Sequence, residues 1–560
     1  MSLPAIAPRG PRGPRARGAP RRRALAVAVA VIALLLAAGA GALAGLAASS
    51  SAPAVTLLGR LAPARRIGFT LELVLPGERA LTRSLAAIED PHSSQFHHFI
   101  DARTFGARYG LPSGRLARLE RELVRDGIRV DETYPQRTAL RVSASVRVVT
   151  RVFGTTIGRF ADRAGDRWHA PLGAPVLPRA LASSVSAVGG LSSRPVWRPE
   201  DVPAGGLAPP DTGLAYDIAP LAQMNILGQG QSIAIAALSD YDHGDPAGYA
   251  DQHGLAGPAP TLVNVDGGTG SDAGADETNL DIDVARSVAP QAHVLVYLSP
   301  DTPTGFADML NQVIADHSAT IVSDSWGQCI PDLDPAEEAA DAKALAVAVR
   351  VGISVFVASG DNGAYDCQSN DLSDHRLSVD WPGASPDAID VGGTRLYLNA
   401  NGSYAGEAAW EGVLSDEGGG GGLATGIPRP SWQTGPGVQN PFSDGSRQVP
   451  DVAADADPGT GWSLFTGGQA SEAGGTSAAA PFWAASMALV QQYATAGGIG
   501  FADPMLYAIA AGGAPFPAFH DVTVGGNRHY PATPGWDFAT GLGSPDVYNL
   551  ARDAVAYLQR

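Results

Sequence analysis

Along residues 213–560, short apolar runs alternate with longer amphipathic stretches. Ser232–Leu238, His293–Leu298, Thr320–Ser325 and Ile353–Ala358 read as buried strands, with helices at Glu277–Val288, Phe306–His317 and Pro335–Val351 between them. Strand and helix in alternation predict an α/β domain, a doubly wound parallel sheet with its site beyond the carboxyl ends of the strands. Residues 66–196 follow a different pattern: an apolar strand at Ile67–Leu75, helical stretches at Glu78–Ile88 and Ser113–Asp126, an alternating strand near Thr138–Val146 and a hairpin around Gly158–Trp168. That predicts a separate α+β unit. Residues 197–212 join the two and read as a linker, with four prolines and no apolar period from 199 to 212. The run Gly418–Gly422 reads as a flexible loop, with a place at the border of a substrate cleft left open.

The N-terminal 50 residues stand apart. Seven arginines between Arg9 and Arg23 precede an uncharged run, Ala24–Ala48. A basic stretch followed by an apolar one is an export signal, and the run is also near the ~20 residues that cross a bilayer. Residues 1–50 are therefore read as a signal peptide or an N-terminal membrane anchor, and the rest of the chain as extracellular or cell-surface. In oxidising surroundings Cys329 and Cys367 most simply pair; two buried free thiols are the alternative.

Composition narrows the classes. Hydrophobic residues make up 45% of the 560 and charged ones 17%, which supports sizeable cores and excludes global disorder. Two cysteines exclude a disulfide framework and a four-cysteine zinc site. Residues 1–200 carry 29 Lys+Arg against 13 Asp+Glu, whereas residues 201–560 carry 10 against 43. The acidic body would repel phosphates, so nucleic acid is not a partner. Opposite signs in one chain predict that the halves dock, through an attraction that weakens as acid neutralises the carboxylates.

Three segments carry candidate chemistry. In Gly474-Gly475-Thr476-Ser477-Ala478-Ala479-Ala480-Pro481, small residues precede the apolar helix Phe482–Gln492, and Ser477 stands where the helix begins. Free N–H groups and the helix dipole there favour charge on a nucleophile or oxyanion, although an isolated G-T-S is equally an ordinary N-cap. No histidine has a persuasive setting as its base: His243 and His253 lie in Gly/Asp-rich loops, and His97 and His98 in the N-terminal unit. Glu277 and Asp281 in Glu277-Thr278-Asn279-Leu280-Asp281 are four apart and share one helix face, where a coupled pair retains a proton. Glu277 can then serve as general base, oriented by Asp281, although such a pair is equally an acidic helix N-terminus that complements the dipole. Asp361, in Ala358-Ser359-Gly360-Asp361-Asn362-Gly363 at a strand end, could when protonated donate to an oxyanion.

Those three segments, in that order, resemble the sedolisin family of serine-carboxyl peptidases. Ser323-Asp324-Ser325-Trp326-Gly327 and the run Gly228–Ala236 add to the likeness. The resemblance implies a subtilisin-like catalytic domain over 213–560 and an activation prodomain of the pro-kumamolisin type over 66–196. It implies Ser477 as nucleophile, Glu277 as base, Asp281 as its partner and Asp361 as the oxyanion aspartate. It also implies one structural Ca2+ held by Asp521 and Asp537 with the carbonyls of Val522, Thr533 and Gly535, Thr533 standing where a glycine is expected. A bridge between Cys329 and Cys367 would tie two loops at the site's rim. The resulting expectation is an exported, acid-acting endopeptidase that cuts polypeptides through an acyl-enzyme. It would be made as a self-processing proenzyme inhibited by its own prodomain. A tripeptidyl-peptidase of the same family, or an inactive relative serving as a binding module, are the alternatives.

Overall fold

The computed structural model describes residues 55–161, 167–199, 202–203, 206–412, 416–494, 498–512 and 514–559. The candidate signal or anchor, residues 1–50, lies outside them. Among the described residues no helix is long and apolar enough to cross a membrane.

The N-terminal unit is a four-stranded antiparallel sheet built from β1 (Arg66–Leu73), β2 (Arg129–Thr133), β3 (Ala139–Ser145) and β4 (Val185–Gly189), in the order β2-β3-β1-β4. Helices α1 (Glu78–Glu89), α2 (Ser113–Arg125) and α3 (Val146–Phe153) belong to the same unit, with a helix at Ala102–Arg108 and a second, three-stranded sheet of Thr56–Arg60, Ile157–Ala161 and Arg167–Pro171. Phe69, Leu71, Leu116, Leu123, Val142 and Phe153 form a core of its own. In α2 the buried residues are Leu116, Leu119 and Leu123, the i, i+3, i+7 spacing of a one-sided helix.

Two short pieces follow, β5 (Arg198–Pro199) and β6 (Val202–Pro203). The larger part is then laid out as β7 (Ser232–Ala237), α4 (Asp245–His253), β8 (Thr261–Asn264), α5 (Ala275–Val288), β9 (His293–Leu298), α6 (Gly305–Asp316) and β10 (Ile321–Asp324). After these come β11 (Trp326–Cys329), α7 (Pro335–Val351), β12 (Ser354–Ala358), β13 (Ile389–Leu398), β14 (Tyr404–Ala409), β15 (Val452–Asp455), β16 (Trp462–Thr466), β17 (Gln469–Gly474), α8 (Thr476–Ala494) and α9 (Asp503–Ala510).

The central sheet runs β8-β9-β7-β10-β12-β13-β14, with β15 also on β13. Every pairing is parallel except β13 with β14. Strands covered on both faces must be apolar at every position, and β7 shows this. Its Ile233, Ile235 and Ala237 join the core beneath α5 and α8, while Ala234 and Ala236 join the opposite core beneath α6 and α7. The doubly wound α/β fold inferred from the alternating pattern is thus the one observed.

The prodomain sits on α6 and α7. Thr70 Oγ1 donates to Asp308 at 2.9 Å, and Arg141 pairs with Asp308 at 3.2 Å and with Asp266 at 2.7 Å. Lys343 pairs with Glu72 at 2.7 Å, and Gln136 Nε2 donates to Asn311 Oδ1 at 3.0 Å. Burial pushes Asp308 up to about 7 against the pull of Arg141. Elsewhere Asp283, Asp324, Asp341, Asp390, Asp455 and Asp503 are buried, and desolvation holds each well above the usual carboxylate range.

Candidate active site

Helix α5 carries Glu277 in its first turn and Asp281 one turn later, both fully buried. Its N-terminus is held in place by side chains. Thr278 Oγ1 donates to the Ser239 carbonyl at 2.9 Å, and Asn279 Nδ2 donates to Asp245 at 3.2 Å and to Thr466 Oγ1 at 3.1 Å. Thr466 Oγ1 in turn donates to Asp276 at 2.6 Å. Asp245 also accepts the N–H groups of Gly467 and Gly468. The hairpin β16–β17 is thereby fastened to the helix bearing the carboxyls, and β17 leads straight into Ser477.

Ser477 is the second residue of α8 and is fully buried. Its Oγ donates to Glu277 Oε2 at 3.0 Å, across 200 residues of sequence. Helix α8 starts at Thr476, six residues before the apolar run that marks it in sequence, with Pro481 inside it. Ser325, just beyond β10, places its Oγ 2.6 Å from Asp281 Oδ1 and 3.2 Å from the Ser477 carbonyl oxygen.

Asp361 lies on the turn after β12 and is 6% exposed. Its Oδ1 accepts from the Thr476 N–H at 2.8 Å and from Thr476 Oγ1 at 3.0 Å. Thr476 Oγ1 also accepts the Gly360 N–H at 3.1 Å. Gly360 has φ +94°, and a Cβ there would come within 2.4 Å of Asp366. The Gly418–Gly422 run is not a free loop. Gly418 N–H donates to the Asp361 carbonyl and Gly420 N–H to that of Gly360, while a Cβ on Gly420 would stand 1.8 Å from the Ser359 carbonyl oxygen. The glycines are what let this strand lie against the Asp361 turn.

The histidines lie elsewhere. His243 pairs with Asp240, His253 meets Ser463, and His97 packs among Phe96, Phe99 and Tyr557. Cys329 and Cys367 form a disulfide that joins β11 to the loop beyond Asp361.

In the C-terminal loop, Asp521 and Asp537 are each held by backbone N–H donors. Gly535 N–H donates to both oxygens of Asp521. Thr533 N–H donates to Asp537 Oδ2 at 2.7 Å, and Ala539 and Thr540 N–H groups reach its Oδ1 at 2.9 Å. Burial pushes Asp537 up to about 6 despite these donors. Val522 is buried beside them. Among the described residues, one cluster brings three His, Cys, Asp or Glu ligand atoms together, Cys329–Asp332–Cys367, and its sulfurs are joined to each other.

The linker crosses this region. Arg198 and Pro199 of β5 pair antiparallel with Gly327 and Trp326 of β11, and Val202 and Pro203 of β6 pair antiparallel with Gly474 and Ala473 of β17. The chain thus meets one rim at the strand after Ser325 and the other at the strand before Ser477.

A buried serine at a helix N-terminus, bonded to a glutamate on a subtilase-type sheet, defines a serine-type peptidase whose partners are carboxyls in place of imidazole. Family models agree: residues 53–194 match the pro-kumamolisin activation domain and residues 228–502 the subtilase family. Kumamolisin of Bacillus sp. (strain MN-32) is 34% identical over 475 residues, spanning 80% of this chain and 84% of its own. The structure of Pseudomonas sedolisin with two molecules of pseudo-iodotyrostatin superposes with a TM-score of 0.56 at 29% identity, over 64% of this chain and 98% of that one. Tripeptidyl-peptidase SED2 of Arthroderma otae is 25% identical over 342 residues, 52% of this chain and 53% of its own. The chain belongs to the sedolisin family: it is a serine-carboxyl peptidase, made as a proenzyme.

Proposed function

We propose that this is an exported endopeptidase that acts in acid and frees itself from its prodomain by cutting its own linker. The observation that carries the reading is the hydrogen bond from Ser477 Oγ to Glu277 Oε2, 3.0 Å long within a buried set of carboxyls. Glu277 takes the Ser477 proton as Oγ attacks the substrate carbonyl carbon, then returns it to the leaving amine; water repeats the sequence on the acyl-enzyme. Asp361 carries a proton to the developing oxyanion. With its Oδ1 engaged by two Thr476 donors, that proton belongs on the other oxygen. Ionised, Asp361 would repel the oxyanion, and a Glu277–Asp281 pair stripped of its one proton would set two like charges together, so activity should peak in acid and fade towards neutrality.

Internal cutting is favoured over removal of N-terminal tripeptides by the linker itself. A continuous chain pairs with both rims and continues beyond each, so the cleft is open at both ends. The bond cut in self-processing falls between Pro199 and Val202, the residues that flank the crossing. An inactive binding module is disfavoured because all four chemical positions are filled and buried, with Ser477 bonded to Glu277. A calcium ion suits Asp521, Asp537 and the carbonyls of Val522, Thr533 and Gly535. The donors are all oxygen, and Asp537 is a desolvated carboxylate that a cation would stabilise. Incubation with a peptide library across pH 3–7, with cleavage positions read by mass spectrometry, tests the assignment. Release of N-terminal tripeptides alone, or activity highest near pH 8, would refute it.

A further inference from the structure

The proton economy around Asp281 turns on a residue with no assigned part in the chemistry. Ser325 is fully buried, and its hydroxyl lies between two acceptors, Asp281 Oδ1 at 2.6 Å and the Ser477 carbonyl oxygen at 3.2 Å. A hydroxyl has one proton to give. The Ser477 carbonyl has the stronger claim on it. In a helix that carbonyl accepts from the N–H four residues on, and that residue is Pro481, which has none. If Ser325 donates to the Ser477 carbonyl, its oxygen can meet Asp281 only as an acceptor, so the proton between them must come from Asp281.

We infer that Ser325 is a positioning residue that keeps Asp281 protonated, through a chain running from Asp281 O–H to Ser325 Oγ and from Ser325 O–H to the carbonyl orphaned by Pro481. An ionised Asp281 would force a choice between an unsatisfied buried carbonyl and two acceptors in contact. A neutral Asp281 removes a like charge one helical turn from Glu277 and leaves Glu277 ionised as base. The inference rests on the serine-carboxyl reading of Glu277 and Asp281. Titratable neighbours on the surrounding elements are engaged elsewhere. Asp324 on β10 accepts from Trp326 N–H, and Asp245 on α4 accepts from Asn279, Gly467 and Gly468. Asp361 is bound by Thr476, Asp276 accepts from Thr466, and Asp283 accepts the Phe465 N–H. Arg286, on α5 itself, donates to the Pro246 carbonyl.

The test is the pH profile of kcat/KM on one peptide substrate for the processed wild type, Ser325→Ala, Ser325→Thr and Pro481→Ala. Ser325→Ala removes the acceptor for the Asp281 proton. Pro481→Ala gives the Ser477 carbonyl its own N–H and frees Ser325 to donate to Asp281. Both should move the alkaline limb to lower pH, by about one unit for one hydrogen bond. The acid limb should stay in place, and Ser325→Thr should restore the wild-type profile. A loss of activity by one factor at every pH, or an alkaline limb that moves upward, overturns the inference. Ser477→Ala separates the two levels: if it still cleaved, the peptidase reading would fall regardless of Ser325.

Discussion

Acid should tighten the grip of the prodomain instead of loosening it, and Glu89 is the residue that shows why. It ends α1 and lines a cavity of about 790 Å3 with Asp387 and Trp432 of the catalytic part. Burial first, and the charge of Asp387 second, push Glu89 up to about 8, and burial pushes Asp387 to about 6 against the pull of Arg447. Asp503 also lies within reach of the Glu89 charge. Undocked, a glutamate titrates near about 4.3. Glu89 therefore takes up a proton on docking. Its contribution is complete below its undocked value and is lost as pH rises through about 8. One proton changes a docking constant by up to about tenfold per pH unit, so pH 7 to pH 5 tightens docking by up to about a hundredfold through Glu89. Asp308, held at about 7, acts with the same sign. Attraction between surface charges weakens in acid but is screened beyond about 8–10 Å. The assay uses full-length Ser477→Ala protein nicked in the linker by an unrelated protease, with prodomain retention followed by gel filtration at pH 7 and pH 5. Glu89→Gln should bind at pH 7 more tightly than wild type and respond less to pH. A wild-type prodomain that dissociates more readily at pH 5, at low and high salt alike, would refute the argument.

Ser477→Ala should abolish peptide cleavage with an unchanged melting temperature, and Glu277→Gln should cost about 10²–10⁴-fold in turnover; near-normal turnover in the glutamine variant would send the search for a base elsewhere. Calcium should raise the melting temperature of the processed form by binding the folded state alone. Asp521→Ala or Asp537→Ala should cancel that gain, and indifference of the wild type to chelator would count against the site. The Cys329–Cys367 disulfide closes a loop of sequence separation 38, and a paired Cys329→Ser, Cys367→Ser variant should lose about 2–4 kcal/mol in denaturant unfolding. An unchanged midpoint would show that the bridge adds nothing.

Four strands of the central sheet, β7, β9, β10 and β12, were legible because they are largely buried and read as unbroken apolar runs. Helix Pro335–Val351 has the predicted bounds, and α5 differs from its predicted start by two residues. The beginning of α8 at Ser477 was legible from the Gly-Thr-Ser turn, although the small residues and proline of Thr476 to Pro481 show no amphipathic period. Strands β8, β13, β14 and β15 were not anticipated; β8 is short, and the other three lie late in the chain, where glycine-rich connections blur the alternation. Motif likeness singled out Ser477, Glu277, Asp281 and Asp361, but the contacts that hold them in place were not legible. Ser325 meets Asp281 across 44 residues, and Thr476 meets Asp361 across 115. Gly418–Gly422 looked like a free loop because its partners, Ser359 to Asp361, are remote in sequence. Net charge suggested that acid would release the prodomain. The contact surface points the other way, because charge counts are blind to which carboxyls become buried.

The six buried aspartates have a consequence for where the protein can persist. Asp283, Asp324, Asp341, Asp390, Asp455 and Asp503 each bind a proton more firmly folded than unfolded. Hydrogen ions are therefore structural ligands of this fold, obeying mass action as a metal would. Their stabilisation is complete below the unfolded aspartate value of about 3.9 and drains away above it, at up to about 1.4 kcal/mol per pH unit for each group. Two such groups would lower stability by about 3 kcal/mol per unit against a typical total of about 5–15 kcal/mol. Thermal unfolding of the processed form should thus shift steadily downward from pH 4 to pH 8. A molecule carried out of acid surroundings should lose stability steadily, so that neutral surroundings would shorten the lifetime of the peptidase without any inhibitor.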